Sequence, residues 1–145
     1  METILILDQE PYIQGILKIF LENEKYTVIA VNTIRQALKS FSELRVSGFI
    51  TEYRIGDSLT LATIKELKRR SPEAYVMMVT NCDLGEKEYE EIMNAGVDDC
   101  FLKPFSFRRI LLHLRKGLRL RKVLIKKTTT REIGSRQGNE GHQYW

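Results

Sequence analysis

Short apolar runs alternate along this chain with longer segments in which apolar residues recur every three or four positions. The runs have the continuous apolar character of strands buried on both faces of a sheet, and they lie at residues 3–7, 27–31, 48–51, 75–79 and 100–102. The helical patterns lie at residues 11–24, from 34, at 59–70, at 86–95 and from 107. Strict alternation of this kind predicts an α/β fold with a doubly wound parallel sheet of order 2-1-3-4-5.

Residues with strong preferences at helix ends support these boundaries. Pro11 suits the first turn of a helix, and Thr33 and Ser106 can each act as an N-cap. Pro72 marks the end of the third helix, and Gly96 is a typical stop for the fourth. The chain therefore divides into elements joined by short connections, as the predicted sheet requires.

Three of the apolar runs stop at a single charged residue. Asp8 follows the first strand, Glu52 the third and Lys103 the fifth. In a sheet of the predicted order, the first and third strands are neighbours and their carboxyl ends meet at the point where the strand order reverses. We therefore expect two acids and one amine to face one another at this edge of the sheet.

Length and composition indicate a single domain with an ordinary core. A chain of 145 residues, 43% of them hydrophobic and 29% charged, buries roughly 70% of its unfolded surface and needs no disulfide staple. It has two cysteines and no N-terminal signal pattern, so we expect a cytoplasmic, reduced protein. No apolar run approaches the roughly 20 residues that span a bilayer, which argues against a membrane partner.

The net charge of +4 is unevenly distributed. Residues 1–114 carry a net charge of −3, whereas residues 115–145 carry +7. We divide the chain into a domain at residues 1–122 and a basic extension at 123–145, in which the last helix lengthens past Gly117 and order ends near Thr128. A solvated helix end, a dimer contact and nucleic-acid binding are the alternatives for this extension.

Four stretches together resemble the receiver domain of two-component response regulators, which has a flavodoxin-like fold. They are LILDQEP at 5–11, ITEYRIGD at 50–57, VMMVTN at 76–81 and AGVDDCFLKPF at 95–105. The resemblance covers residues 3 to about 122, and the last stretch is the most specific. It implies a module of phosphorelay signal transduction that meets a histidine kinase and protein partners, and that is not an enzyme.

The resemblance also implies a role for each charged strand end. In the family, an acidic pair after the first strand binds Mg²⁺, and here these positions are Asp8 and Gln9. An Asp after the third strand accepts the phosphoryl group, and here this position is Glu52. The positions that contact the phosphoryl group are Thr80 and Lys103, and Cys100 stands where the family often has a switching Tyr or Phe.

Two departures from the family pattern affect the chemistry directly. Glu52 places its carboxylate about 1.5 Å further into the pocket than Asp would, and a shift near 1 Å can lower an in-line transfer on the order of 10²-fold. Gln9 removes one of the anions that attract Mg²⁺, so a metal held by Asp8 and Glu52 would be weak or absent. We expect Glu52 instead to contact Lys103 at about 2.7–2.9 Å.

Further departures point in the same direction. Asn81 should narrow access to the pocket, Cys100 lacks the aromatic ring of the usual switch, and Gly56 and Thr60 replace the Pro and Gly common in the loop after the acceptor. The spacing of 23 residues from Thr80 to Lys103 is one longer than usual.

We therefore predict an atypical receiver that is not phosphorylated and acts through a protein partner or homodimer contact on the fourth and fifth strands and last two helices. The alternatives are a phosphorylatable receiver that uses Glu52 or Asp57, and a nucleic-acid-binding protein that uses the basic tail. Plainer explanations are that Glu52 only neutralises Lys103 and that Asp8 only caps a helix. Neither His113 nor His142 has partners at metal-ligand spacing.

Overall fold

The computed structural model of the protein describes the backbone of residues 1–138 and the side chains of residues 1–127. Its seven strands are β1 (Thr3–Leu7), β2 (Thr27–Val31), β3 (Gly48–Thr51), β4 (Arg54–Ile55), β5 (Ser58–Leu59), β6 (Tyr75–Thr80) and β7 (Asp99–Leu102). Its five helices are α1 (Pro11–Asn23), α2 (Ile34–Glu43), α3 (Leu61–Arg70), α4 (Glu86–Ala95) and α5 (Phe107–Gly138).

Five of the strands form one parallel sheet in the order β2-β1-β3-β6-β7. This order is the predicted 2-1-3-4-5 arrangement, which is therefore confirmed. The register pairs Leu7 with both Val31 and Thr51, and pairs Thr51 with Met78. The carboxyl ends of the central strands consequently lie side by side at one edge of the sheet.

The helices cover both faces of the sheet and bury two apolar layers. One layer joins the sheet to α2, α3 and α4, with Phe41, Ile64 and Ile92 among its buried side chains. The other joins the sheet to α1 and α5 through buried residues that include Leu17, Leu21, Ile110, Leu114 and Leu118. Because all four residues of β3 and all six of β6 are buried, these strands read as continuous apolar runs in the sequence.

A small antiparallel hairpin of β4 and β5 precedes α3, where the sequence predicted the helix to begin at Leu59. The helix begins at Leu61 instead. Gly56 has a φ of 60° at the hairpin turn, the left-handed conformation that a two-residue turn needs and that glycine adopts readily. The prediction missed the hairpin because strands of two residues are too short to show an alternating pattern.

Helix α5 is longer than expected. It continues beyond Thr128, where the sequence predicted that order ends, to Gly138; no proline follows Pro104 to interrupt it. Residues 139–145, including His142, lie outside the described part, and the boundary drawn at residue 122 remains a prediction. No helix within residues 1–138 combines the length and apolar character needed to cross a bilayer.

Gly117 in the middle of α5 has a packing role that the sequence did not reveal. A Cβ atom at this position would lie 2.1 Å from Cδ1 of Tyr75 on β6. The missing side chain therefore allows the helix to approach the sheet closely. The sequence showed only the cost of about 1 kcal/mol for glycine within a helix.

Candidate functional site

The site lies where β1, β3, β6 and β7 end. Glu52 donates its backbone N–H to the carbonyl of Leu7 at 3.0 Å, and Lys103 donates its own to the carbonyl of Thr80 at 2.8 Å. These bonds extend the parallel ladder by one residue beyond the strands. They place Asp8, Glu52 and Lys103 together, as the charged strand ends predicted.

Lys103 is the centre of the site and contacts three carboxylates. Its Nζ atom lies 2.9 Å from Asp8 Oδ2, 2.9 Å from Glu10 Oε1 and 3.2 Å from Glu52 Oε2. The side chains of Lys103, Asp8 and Glu52 are only 8%, 6% and 8% exposed, whereas that of Glu10 is 50% exposed. The predicted contact between Glu52 and Lys103 is present, although it is longer than the 2.7–2.9 Å we expected.

The side chain of Glu52 is one methylene longer than that of Asp, and it is accommodated because its carboxylate turns back toward the main chain. Its Oε1 atom accepts a hydrogen bond from the backbone N–H of Tyr53 at 2.6 Å, while Oε2 faces Lys103. The hydroxyl of Thr60 donates to the backbone carbonyl of Glu52 at 2.6 Å. Hydrogen bonds therefore hold both the backbone carbonyl and the carboxylate of Glu52, and only Oε2 of the carboxylate faces Lys103.

Glu10 is the site residue that sequence reasoning missed. Its backbone N–H donates to Asp8 Oδ1 at 2.9 Å, and its side chain reaches Lys103 from the solvent side. The available signal was its position two residues after Asp8 and directly before Pro11, which turns the chain into α1.

Gln9 occupies the second position of the acidic pair in the family resemblance, but its side chain forms a hydrogen bond outside the cluster around Lys103. Its Oε1 atom accepts a hydrogen bond from the backbone N–H of Gly56 at 2.9 Å. This bond links the loop after β1 to the turn of the β4–β5 hairpin. Gln9 thus closes one side of the site instead of contributing an oxygen to its centre.

A cleft of about 200 Å³ remains beside these groups. It is lined by Asp8, Gln9, Glu10, Glu52, Arg54, Gly56, Asn81 and Cys82. Asn81 is exposed and lines this cleft, and the narrowing of access by this residue stays a prediction. Asp57, the alternative acceptor, is exposed next to Gly56 in the turn of the hairpin.

Thr80 and Cys100 border the site and are not among the charged groups around Lys103. Thr80 is fully buried, and its hydroxyl accepts a hydrogen bond from the backbone N–H of Cys82 at 3.0 Å. Cys100 packs against the apolar layer of α2, α3 and α4. Burial raises the pKa of its thiol, and the nearby Glu52 charge raises it further. Cys100 is therefore a protonated apolar neighbour of the site.

The charges of the cluster influence one another's protonation. Burial raises the pKa of Asp8, although the backbone N–H of Glu10 and the ammonium of Lys103 oppose this rise. For Lys103, burial favours the neutral amine, but its three carboxylate partners outweigh burial and raise its pKa above the ordinary value. Lys103 is therefore a stable ammonium at the centre of a cluster with excess negative charge.

The donor set fits a divalent metal poorly. Both carboxylate oxygens of Asp8 and both of Glu52 already face an N–H or ammonium donor. Mg²⁺ requires near-octahedral oxygen coordination, so it would compete with these donors for the same carboxylate oxygens. Among the side chains that the structure describes, those of residues 1–127, no group of three or more His, Cys, Asp or Glu has an arrangement suited to a metal ion.

A five-stranded parallel sheet of this order, with a lysine and acids at the carboxyl ends of its strands, defines a receiver-type signalling fold. The chain belongs to the response regulator receiver domain family, whose pattern matches residues 4–115. The resemblance drawn from the four sequence stretches is therefore confirmed, and this is a receiver domain of two-component signalling.

Several known proteins are similar to this chain. The transcriptional regulatory protein KdpE of Mycobacterium tuberculosis is 27% identical over 119 residues, which cover 82% of this chain and 52% of that protein. ZraR of Escherichia coli is 29% identical over 115 residues, covering 79% and 26%. A receiver domain structure from Methanospirillum hungatei has a TM-score of 0.79 at 22% identity, covering 84% and 97%. The chain thus spans about half or less of these curated relatives.

Proposed function

We propose that this protein is an atypical receiver, or pseudo-receiver, which is not phosphorylated at Glu52 and signals through protein contacts. The observation that carries the proposal is the contact of Lys103 with three carboxylates at 2.9–3.2 Å. In typical members of the family, the lysine at this position contacts the incoming phosphoryl group. Here its ammonium is already occupied by anions of the chain itself.

The geometry of phosphoryl transfer supports the same conclusion. Transfer to a carboxylate needs an in-line approach, with cations placed to absorb the charge of the transferred oxygens. Neither oxygen of Glu52 points freely into the cleft, since one faces Tyr53 N–H and the other faces Lys103. The carboxylate of Glu52 gives Lys103 the negative charge that a phosphorylated Asp would supply in a typical receiver.

The proposal extends to cofactors and partners. Mg²⁺ binds weakly or not at all, the protein is not an enzyme, and its output is a contact with another protein or a second copy. By analogy with the family, the contact surface includes β6, β7, α4 and α5. The exposed Leu102, at 62% exposure at the end of β7, is consistent with such a surface.

Treatment with acetyl phosphate and Mg²⁺ tests the proposal, with intact mass as the readout. We expect no gain of a phosphate mass on the native chain. The paired variant Gln9→Asp with Glu52→Asp should gain one phosphate, because it restores the metal-binding anion and the shorter acceptor. This variant shows that the assay can detect phosphorylation on this scaffold.

A phosphate on the native chain that disappears in Glu52→Gln would overturn the proposal. A phosphate that persists in Glu52→Gln but disappears in Asp57→Asn would instead support the alternative acceptor in the hairpin turn.

A further inference from the structure

Over residues 107–127, the part of α5 whose side chains the structure describes, the helix carries only one sign of charge. Residues 107–127 contain nine Lys or Arg and no Asp or Glu. Arg115 and Arg121 pair with acids of the domain body, Glu24 at 2.9 Å and Glu2 at 3.6 Å. The other cations are exposed, and they lie at positions 108, 109, 116, 119, 122, 126 and 127.

Five exposed aliphatic side chains lie among these cations, and three of them share one side of the helix. Leu112, Leu120 and Val123 are 64%, 55% and 47% exposed. Their separations of eight and three residues place them on the same side of the helix, opposite the buried Ile110, Leu114 and Leu118 that pack on the sheet. The apolar layer of the domain therefore does not account for them.

Two cations interrupt this apolar stripe in its middle. Lys116 and Arg119 follow Leu112 by four and seven residues and precede Val123 by seven and four, so the four side chains form one row along the helix. We call this row, together with Leu120, the outer face of α5. Over residues 112–123 it has aliphatic side chains toward both ends and two cations between them.

We infer that the outer face of α5 binds an acidic amphipathic helix of a partner protein. Such a helix offers aliphatic side chains to Leu112, Leu120 and Val123, and carboxylates to Lys116 and Arg119, at the same spacing of three and four residues. The segment 107–127 is about 31 Å long at 1.5 Å per residue, which matches an ordinary partner helix. The inference rests on the proposal that this receiver acts through protein contacts.

Charge argues against a second copy of the same helix as the occupant. Two α5 helices paired through their outer faces would bring cations against cations along the whole contact. Like charges placed together across an interface disfavour the wrong partner by several kcal/mol. An acidic helix would instead be attracted to the cations of the outer face of α5.

The chemistry of the face also disfavours two other anionic partners. Nucleic-acid phosphates would satisfy the cations but leave the three aliphatic side chains in water, and the described part of α5 has no aromatic residue after Phe107 for base stacking. A bilayer surface prefers a continuous apolar face. Lys116 and Arg119 break that continuity in the middle of the row.

Fluorescence anisotropy of the full chain with a labelled synthetic peptide tests the inference. The probe is a 21-residue helical peptide with Leu at alternating spacings of three and four and Glu at most other positions. We expect saturable binding that weakens with added salt. Leu112→Ser with Leu120→Ser should weaken it at least tenfold, and Lys116→Glu with Arg119→Glu should do the same.

Matched substitutions elsewhere on the surface serve as controls. Ile19→Ser changes an aliphatic residue of α1 that is 63% exposed, and Lys39→Glu changes a lysine of α2 whose side chain is 73% exposed. Neither should alter the affinity by more than twofold. A circular dichroism melt of each variant checks that the fold is retained.

Equal binding of a peptide with the same composition in scrambled order would overturn the inference, because only net charge would then matter. Tighter binding of a 20-base-pair duplex, or of vesicles with phosphatidylserine, would overturn it in favour of those partners. Self-association that depends on Leu120 would do so in favour of a second copy. None of these results changes the acetyl phosphate assay, so the two proposals fail separately.

Discussion

The two ends of the sheet each bury one cation, but they hold it differently. At the carboxyl end, Lys103 contacts carboxylates at 2.9–3.2 Å, and the side chains of Asp8 and Glu52 are at least as buried as that of the lysine. At the amino end, Arg121 of α5 lies 3.6 Å from Glu2 and 3.8 Å from Glu73, whose side chains are 23% and 25% exposed. Arg121 Nε and Glu2 Oε2 have no hydrogen-bond partner within the described residues.

The difference shows how backbone geometry determines the length and the burial of the contacts in an ion cluster. The residues around Lys103 follow hydrogen-bonded strands, and the ladder fixes where their side chains begin. Arg121 comes from a helix that packs on the sheet, and its acids come from the segments before β1 and β6. Loss of the short contacts around Lys103 would leave buried charges unpaired, which costs free energy. Water can instead solvate the partly exposed acids around Arg121 when their contacts are lost.

Removal of Lys103 is the largest effect that this comparison predicts. Lys103→Met should lower the free energy of unfolding by about 3–5 kcal/mol, because it leaves Asp8 and Glu52 buried without a cation. Urea denaturation measures the change. Lys18→Met, which removes an exposed pair with Glu22, should change stability by less than about 1 kcal/mol. The loss at Lys103 should shrink as the pH is lowered, since burial raises the pKa of Asp8 and its protonation relieves the repulsion.

Gly117→Ala tests how rigid the amino end is. We expect the free energy of unfolding to fall by about 1–3 kcal/mol, since the new Cβ would lie 2.1 Å from the Tyr75 ring. The matched variant is Gly15→Ala in α1, where nothing lies within 4 Å of an added Cβ; it should gain about 1 kcal/mol. Thermal melts of both variants give the comparison. An equal gain in stability for Gly117→Ala and Gly15→Ala would mean that α5 and Tyr75 separate easily.

Arg121→Met should cost about 1–2 kcal/mol, less than Lys103→Met, because Glu2 and Glu73 can turn to solvent once the arginine is gone. The same urea experiment measures it. A cost equal to that of Lys103→Met would contradict the distinction between the two ends of the sheet.

The pH dependence of Asp8 should give the smallest effect. Burial raises its pKa in the folded state above 3.8, so the folded chain binds a proton more readily than the unfolded chain. The associated stability is fully present below the unfolded pKa and is lost as the pH rises through the folded pKa. The stability of the native chain relative to Asp8→Asn should therefore fall as the pH rises above about 4. A constant difference across this range would show that the ion pair with Lys103 cancels the effect of burial on the pKa of Asp8, and a rise with pH would show that the ion pair outweighs burial.

Much of the fold could be predicted because its signals are local. The predicted bounds of β3 at 48–51 and of α4 at 86–95 agree with the structure, since buried strands read as apolar runs and Gly96 ends α4 with a φ of 113°. The N-cap at Thr33 is also present, with its hydroxyl accepting from Gln36 N–H at 3.1 Å. The β4–β5 hairpin was missed because its pairing depends on a glycine turn and on no more than two residues in each strand.

The site could be predicted only in part. That Asp8, Glu52 and Lys103 meet follows from strand order, because parallel strands present their carboxyl ends at one edge. That Gln9 turns to Gly56 while Glu10 turns to Lys103 does not follow from any pattern. The direction of a loop side chain depends on contacts with segments far away in the sequence.

By itself, the sequence determined the parallel sheet, its strand order, and a cluster of acids around a lysine, because apolar periodicity and strand-end charges are set by neighbours along the chain. Tertiary structure alone decided which carboxylates reach Lys103, that Glu52 folds back to Tyr53, and that Gly117 gives space to Tyr75. These outcomes depend on differences of about 1 Å between atoms brought together by packing, and a one-dimensional pattern does not contain those distances.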